Sequence, residues 1–313
     1  MKTWIPDERN FAYLNWKQVD ALPRESTLLV LPTAAIEQHG HHLPLATDTL
    51  LNNLLLGQAL GKLPSDLPVF ALPPVHYGKS NEHIGFPGTL SVSAATFMAV
   101  LRDLGASVAA AGFQRVVLYN THGGNTALID VMARDLRAEF GLRTFALHGS
   151  GGIALEGLSP QEKAYGFHAG EVETALLLAS VPELVDGSAY TVNYIADIGD
   201  LEVLLPENAP ATFAWLTRDI AASGVMGDPR PATAENGKRW LEQAATRLAA
   251  ALEVDISQLV RDARSVRDEE VAAIFADPFL AEIAALLPNM EPMHRTLFAG
   301  AVRDAALGRR RSA

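Results

Sequence analysis

Short apolar runs alternate with longer stretches of helical pattern along the first half of this chain, and few folds accept that alternation. Residues 27–31 (TLLVL), 68–72 (PVFAL), 115–119 (RVVLY) and 143–147 (RTFAL) read as strands. Residues 48–60, 94–111 and 127–140 between them read as helices. Repeated strand–helix–strand units close a largely parallel sheet with helices on its faces, so the expected fold is a three-layer α/β/α sandwich. In such sheets ligands bind just beyond the carboxyl ends of the strands. The chemistry is therefore sought in the residues that follow each strand.

Beyond Pro229 the pattern is wholly helical, over residues 234–252, 255–264, 268–275, 278–287 and 292–307. The expected organisation is a core domain over residues 1–260 with a helical extension, 265–313, packed on it. A glycine–serine cluster at residues 149–152 reads as a loop able to cover the site. No run of about 18 apolar residues is present, so no membrane span is expected. The first 16 residues hold one lysine and no apolar stretch, so no signal peptide is expected and the cytoplasm is the default location.

The chain has 0 cysteines, which removes disulfides, thiolate metal sites and cysteine nucleophiles. Any metal must be held by His, Asp and Glu. A formal charge of −11 argues against nucleic acid as a partner.

After the first strand come Glu37, His39, His41, His42 and Asp48, so three of the chain's 9 histidines fall within residues 39–42. Glu37 and His39 stand two apart, and in an extended segment they point the same way. A carboxylate and an imidazole on one side suit zinc or manganese. Asp48 opens the following helix, where it either caps the helix or bridges two ions with its two oxygens. After the third strand comes Asn120-Thr121-His122-Gly123-Gly124-Asn125. Its glycines let backbone approach a ligand closely; a phosphate cradle is the rival reading, although no P-loop lysine follows. Asn125 is either part of the site or the helix N-cap. The third cluster is His168-Ala169-Gly170-Glu171-Val172-Glu173-Thr174. If it is helical, His168 and Glu171 share a face and Glu173 does not. Glu171 is then the expected metal ligand and Glu173 a supporting carboxylate.

These clusters together resemble the signatures of the creatininase family. Glu37–Gly40 with His42-Leu43-Pro44 and Asp48 is similar to the first, Asn120–Asn125 to the second and His168–Thr174 to the third. Residues 77–89, which include Ser80, Glu82, His83 and Phe86-Pro87-Gly88-Thr89, resemble a fourth, and Gly227-Asp228-Pro229 with Ala232-Thr233 a fifth. The five occur in the family's order over roughly residues 26–250.

The resemblance implies an α/β/α fold, a pair of divalent ions (zinc first, manganese second) and a homo-oligomer, commonly a hexamer. It implies Glu37, Asp48 and His122 as ligands of one ion, and His39 with a bridging Asp48 as ligands of the other. Creatinine-cleaving members carry a ligating glutamate where this chain has Gly124, and a substrate-pocket tyrosine where it has Gly123. That departure turns the expectation from creatinine toward other amides: formamides, small cyclic amides or a peptide-like tail. Glu171 is the expected replacement ligand.

The implied reaction is hydrolysis of a C–N bond of a small amide by a metal-activated water. His168 is expected to give a proton to the leaving nitrogen, with Glu173 in support. Ser80, Glu82, His83 and Gly123 are expected to line the substrate pocket or brace the ligands. Alternatives are an inactive scaffold or sensor of the same fold, and a peptidase-like member serving cofactor maturation.

Overall fold

Strand β1 (Leu28–Thr33) alternates its side chains between two apolar layers, and this decides the architecture. The chain runs α1 (Trp16–Asp20), β1, α2 (Thr47–Leu60), β2 (Val69–Ala71), α3 (Ala94–Ala110), β3 (Arg115–Asn120), α4 (Thr126–Phe140) and β4 (Arg143–His148). Then follow α5 (Pro160–Tyr165), α6 (Glu171–Ser180), β5 (Leu204–Leu205), β6 (Ala211–Thr212), α7 (Thr217–Ile220) and α8 (Ala234–Glu253). This computed structural model describes residues 3–149, 155–195, 204–205 and 211–253. The helices expected over residues 255–307, and residues 150–152 of the glycine–serine loop, lie outside the described residues.

The main sheet is parallel throughout, in the order β2-β1-β3-β4. Leu28, Val30, Val117 and Tyr119 pack against α2, α6 and α8 on one face. Leu29, Leu31, Val116 and Leu118 pack against α3 and α4 on the other. The three-layer α/β/α expectation is met, and each central strand is apolar on both faces as a buried parallel strand must be. The expected strands fall within two residues of the observed ones. Helices α2, α3, α4 and α8 are likewise found where the pattern put them.

Two details position the site. Strand β1 has β2 on one side and β3 on the other, so the connections leaving β1 and β3 diverge and open a crevice. Thr33 pairs with Asn120 at the last rung of the β1–β3 ladder. The segments beginning at Ala34 and Thr121 therefore leave the sheet side by side. Helix α2 is then stitched to the end of β1: Thr49 Oγ1 donates to Ala35 O (3.0 Å), Asn52 Nδ2 to Thr33 O (3.0 Å). Thr121 Oγ1 donates to the backbone oxygen of Asp48 (3.0 Å), binding the two segments together.

Candidate metal centre

The segment between β1 and α2 is folded back by a backbone bond from Glu37 N to Leu45 O (2.9 Å) and turns at Gly40, whose φ of 66° suits glycine. This brings Glu37, His39 and Asp48 into one buried group. Ala46 occupies the N-cap of α2, so Asp48 lies inside the first turn and is free of capping duty. Its two oxygens face different imidazoles. Oδ1 is 3.3 Å from His39 Nε2 and Oδ2 is 3.1 Å from His122 Nδ1. His122 Nδ1 also lies 3.2 Å from Glu37 Oε1. The far nitrogen of His122, Nε2, is held among Lys79 O (3.0 Å), Ser80 Oγ (3.1 Å) and Glu82 Oε1 (3.3 Å).

Three imidazoles stack beside this group. The His168 ring lies 4.3 Å from both His39 and His83. Its Nε2 is 2.7 Å from the backbone oxygen of Gln38, and its Nδ1 faces Glu37 Oε1 at 3.9 Å. His83 Nε2 is 3.4 Å from the same Glu37 oxygen. Gln38, given no role of its own in the sequence signature Glu37–Gly40, braces two of these rings. Its amide nitrogen lies 2.8 Å from His83 Nδ1 and 3.0 Å from His168 Nε2, and donates to Gly224 O. Thr217 of α7, also absent from the sequence reading, places Oγ1 2.8 Å from His83 Nδ1. No local pattern marks either residue, because their role depends on a long-range approach of residues 217–226 to the first signature.

The structure brings Glu173, rather than Glu171, beside His39. His168 is not helical: it pairs with Met226, and α6 begins only at Glu171. Between them Ala169 takes a left-handed φ of 54°, a strained backbone of the kind that gathers at functional sites. The i,i+3 relation between His168 and Glu171 therefore does not exist. Glu171 N donates to Glu162 Oε1 (2.8 Å), and the Glu171 carboxyl is pushed up by burial and by Glu162 and Asp228. Glu173 instead reaches back to Ala169 N (2.5 Å) and sets Oε1 3.8 Å from His39 Nε2. The buried Glu162 also accepts from Tyr194 OH (2.7 Å) and Asp228 N (2.9 Å), tying α5, α6 and the Gly227-Asp228 turn into one support.

The electrostatics are those of a carboxylate-rich pit. Burial opposes charge on His39, but Asp48, Glu173 and Glu37 outweigh it and raise its pKa to about 10. His122 is likewise carried well above its ordinary value, burial being overcome by Glu37 and Asp48. Asp48 is held far below the carboxylate range despite burial, chiefly by His39 and His122. Burial, followed by the charges of His39 and His83, drives His168 well below its ordinary value. Glu173 is pushed up to about 7 by burial and by Asp48 and Glu37, against the pull of His39.

Glu37 Oε2, His39 Nε2 and Asp48 Oδ2 are buried and lack a hydrogen bond. Buried polar atoms are normally satisfied, and these three have only ion-pair neighbours at best, so they are free to serve as ligands of a cation. Glu37, His39 and Asp48 offer ligand atoms within 4.8 Å of one another, as do His39, His168 and Glu173, or Glu37, Glu82 and His122. Nitrogen and carboxylate donors of this kind fit zinc or manganese. Gly123 and Gly124 do not form a phosphate cradle, since the Glu82 carboxylate lies against Gly124. Asn125 holds the N-cap position of α4 without a capping side-chain bond; its side chain instead accepts from Lys79 N (2.9 Å) and donates to Ala34 O (3.1 Å), tying three segments of the site together.

The family model described as creatinine amidohydrolase, Creatininase, matches residues 12–252. The chain belongs to the creatininase family. It is 35% identical over 225 residues to the mycofactocin precursor peptide peptidase of Mycobacterium ulcerans, covering 70% of this chain and 81% of that one. It is 31% identical over 196 residues to the creatinine amidohydrolase of Pseudomonas putida, covering 55% of this chain and 72% of that one. A solved manganese creatininase superposes with a TM-score of 0.59 at 27% identity, over 78% of this chain and 97% of that one. A mutant creatininase of Zn-Zn type gives 0.58 at 27% identity, over 80% and 98%. The chain is thus a creatininase-family hydrolase, with the family's α/β fold. No helix among the described residues is long and apolar enough to cross a membrane.

Proposed function

We propose that this chain is a metal-dependent hydrolase of amide C–N bonds whose substrate is a short peptide-like amide rather than creatinine. The observation that carries the proposal is Asp48, with one oxygen toward His39 and the other toward His122. Glu37, Asp48 and His122 would hold one divalent ion, and His39, Asp48 and Glu173 the other. Ions so held would supply Lewis acidity and bring the pKa of water down toward ~7.

The chain's own residues supply the proton chemistry. His168 is buried and neutral, with Nε2 engaged by the Gln38 carbonyl and Nδ1 facing Glu37. It begins the cycle as a base, takes a proton at Nδ1 and returns it to the leaving nitrogen. Gln38 and the stacked His83 fix the plane of that ring. The peptide-like substrate follows from the peptidase relative, and from Gly123 and Gly124 standing where creatinine-cleaving members carry a tyrosine and a glutamate.

Metal content by mass spectrometry, on protein purified without chelator or metal-affinity tag, tests the centre. Two divalent ions per chain are expected in wild type and fewer than one in Asp48→Ala. A panel of short peptides, formamides, lactams and creatinine then tests the substrate. No metal in wild type after zinc or manganese is supplied would sink the mechanism, and fast turnover of creatinine alone would sink the substrate assignment.

A further inference from the structure

Gly124 is a lost ligand when the sequence is set beside the creatinine-cleaving pattern, yet the space it leaves is filled. A Cβ built on Gly124 would overlap Glu82 Oε1, Lys79 O and His122 Nε2. Glu82 comes from the 3-10 turn Asn81–His83, about 40 residues away in sequence, and its Oε1 stands 3.3 Å from His122 Nε2. It shares the Glu37–Glu82–His122 group, with ligand atoms within 4.8 Å of one another.

We infer that Glu82 is the positioning carboxylate of His122, entering from a different segment the space that glycine at 124 vacates. The inference rests on the metal-centre reading above. His122 turns Nδ1 toward Glu37 and Asp48 and Nε2 toward Glu82, Ser80 and Lys79. A proton on Nε2, donated to this acceptor set, leaves the Nδ1 lone pair bare and aimed at the centre. A carboxylate behind a ligating imidazole fixes its tautomer and raises its basicity, and loss of such a partner costs typically about 10–100-fold in metal affinity. The glycine at 124 is what admits that carboxylate, because any side chain there would collide with Glu82 and with the rigid Lys79 carbonyl. Gly124 and Glu82 are thus one device.

The test uses the full chain and zinc alone, with affinity measured by competition against a chromophoric chelator at neutral pH. Glu82→Ala is expected to weaken zinc about 10–100-fold, and Glu82→Gln, which retains an acceptor oxygen, to recover part of the loss. Gly124→Ala, which crowds Glu82, Lys79 O and His122 at once, should weaken zinc at least as much, and the double variant should lose less than the sum of the two single losses, since Gly124→Ala already displaces Glu82 from His122. In ¹⁵N-histidine spectra, His122 should be the Nε2–H tautomer in the zinc-loaded wild type and lose that uniform state in Glu82→Ala. Wild-type affinity in both Glu82 variants, or additive losses in the double variant, would overturn the inference while leaving the metal centre intact. Should Gly124→Ala fail to fold, the isosteric Glu82→Gln and the tautomer of His122 decide alone. No zinc binding by the wild type would remove the metal reading, and this inference with it.

Discussion

At the scale of single residues, the chemistry depends on which groups hold protons. On the proposed mechanism His168 acts as the base, through Nδ1, rather than as a ligand, so His168→Ala should cut turnover about 10²–10⁴-fold with metal content unchanged. Equal turnover in the mutant would remove it from the reaction. The protons on His39 and Glu173 also couple folding to pH. In the metal-free fold His39 keeps its proton to about 10, whereas an unfolded imidazole loses it near 6.5. Its stabilisation is full below 6.5 and is lost as pH rises through about 10. Glu173, held up to about 7 from 4.5, acts in the same direction at lower pH. The melting midpoint of chelator-treated protein should therefore fall between pH 6.5 and 10, while zinc affinity climbs as its ligands shed protons. A midpoint that rose over that range would contradict the charge arrangement. The grouping of Glu37, His39, Asp48 and His122 was legible in sequence, because all four lie in the segments that lead from the ends of β1 and β3 into the first turn of the next helix. Gln38 and Thr217 were not, because nothing local to them announces partners more than 40 residues away.

At the scale of elements, strands and helices were read correctly wherever apolar spacing alone decides them, as in β1 and β3. The start of α6 was not, because it depends on a left-handed Ala169 and on the buried carboxylate of Glu162, neither of which leaves a periodic trace. Helix α6 is also pressed against α8 at Gly237, where a Cβ would overlap the carbonyl oxygen of Ala175. A backbone neighbour cannot rotate away. Gly237→Ala should cost on the order of 3 kcal/mol in denaturant unfolding, the upper end of ordinary overpacking. Because α6 carries Glu173, the same change should lower metal affinity at the distant centre. A fully stable Gly237→Ala would show that the two helices have room to part.

At the scale of the whole molecule, every site residue and both apolar layers lie within the compact unit Met1–Glu253. A chain ended after Glu253 should fold and bind zinc as the full chain does, measured by circular dichroism and chelator competition. Loss of either property would assign residues 254–313 a part in the core. The resemblance to the creatininases leads us to expect a particle several times the 33.6 kDa of one chain by light scattering; a monomer would argue against shared assembly. The charge arrangement at the centre has a last consequence, for which ion the protein carries. Asp48 stands between His39 and His122, whose pKa values its charge helps to raise, so an arriving cation would have to displace protons from those two rings. On the metal-dependent reading proposed above, loading would be an exchange of protons for metal, and the ion retained would depend on the fit of the site and the supply around it. On that reading, the same polypeptide produced in zinc-poor and in manganese-rich medium would carry different ions.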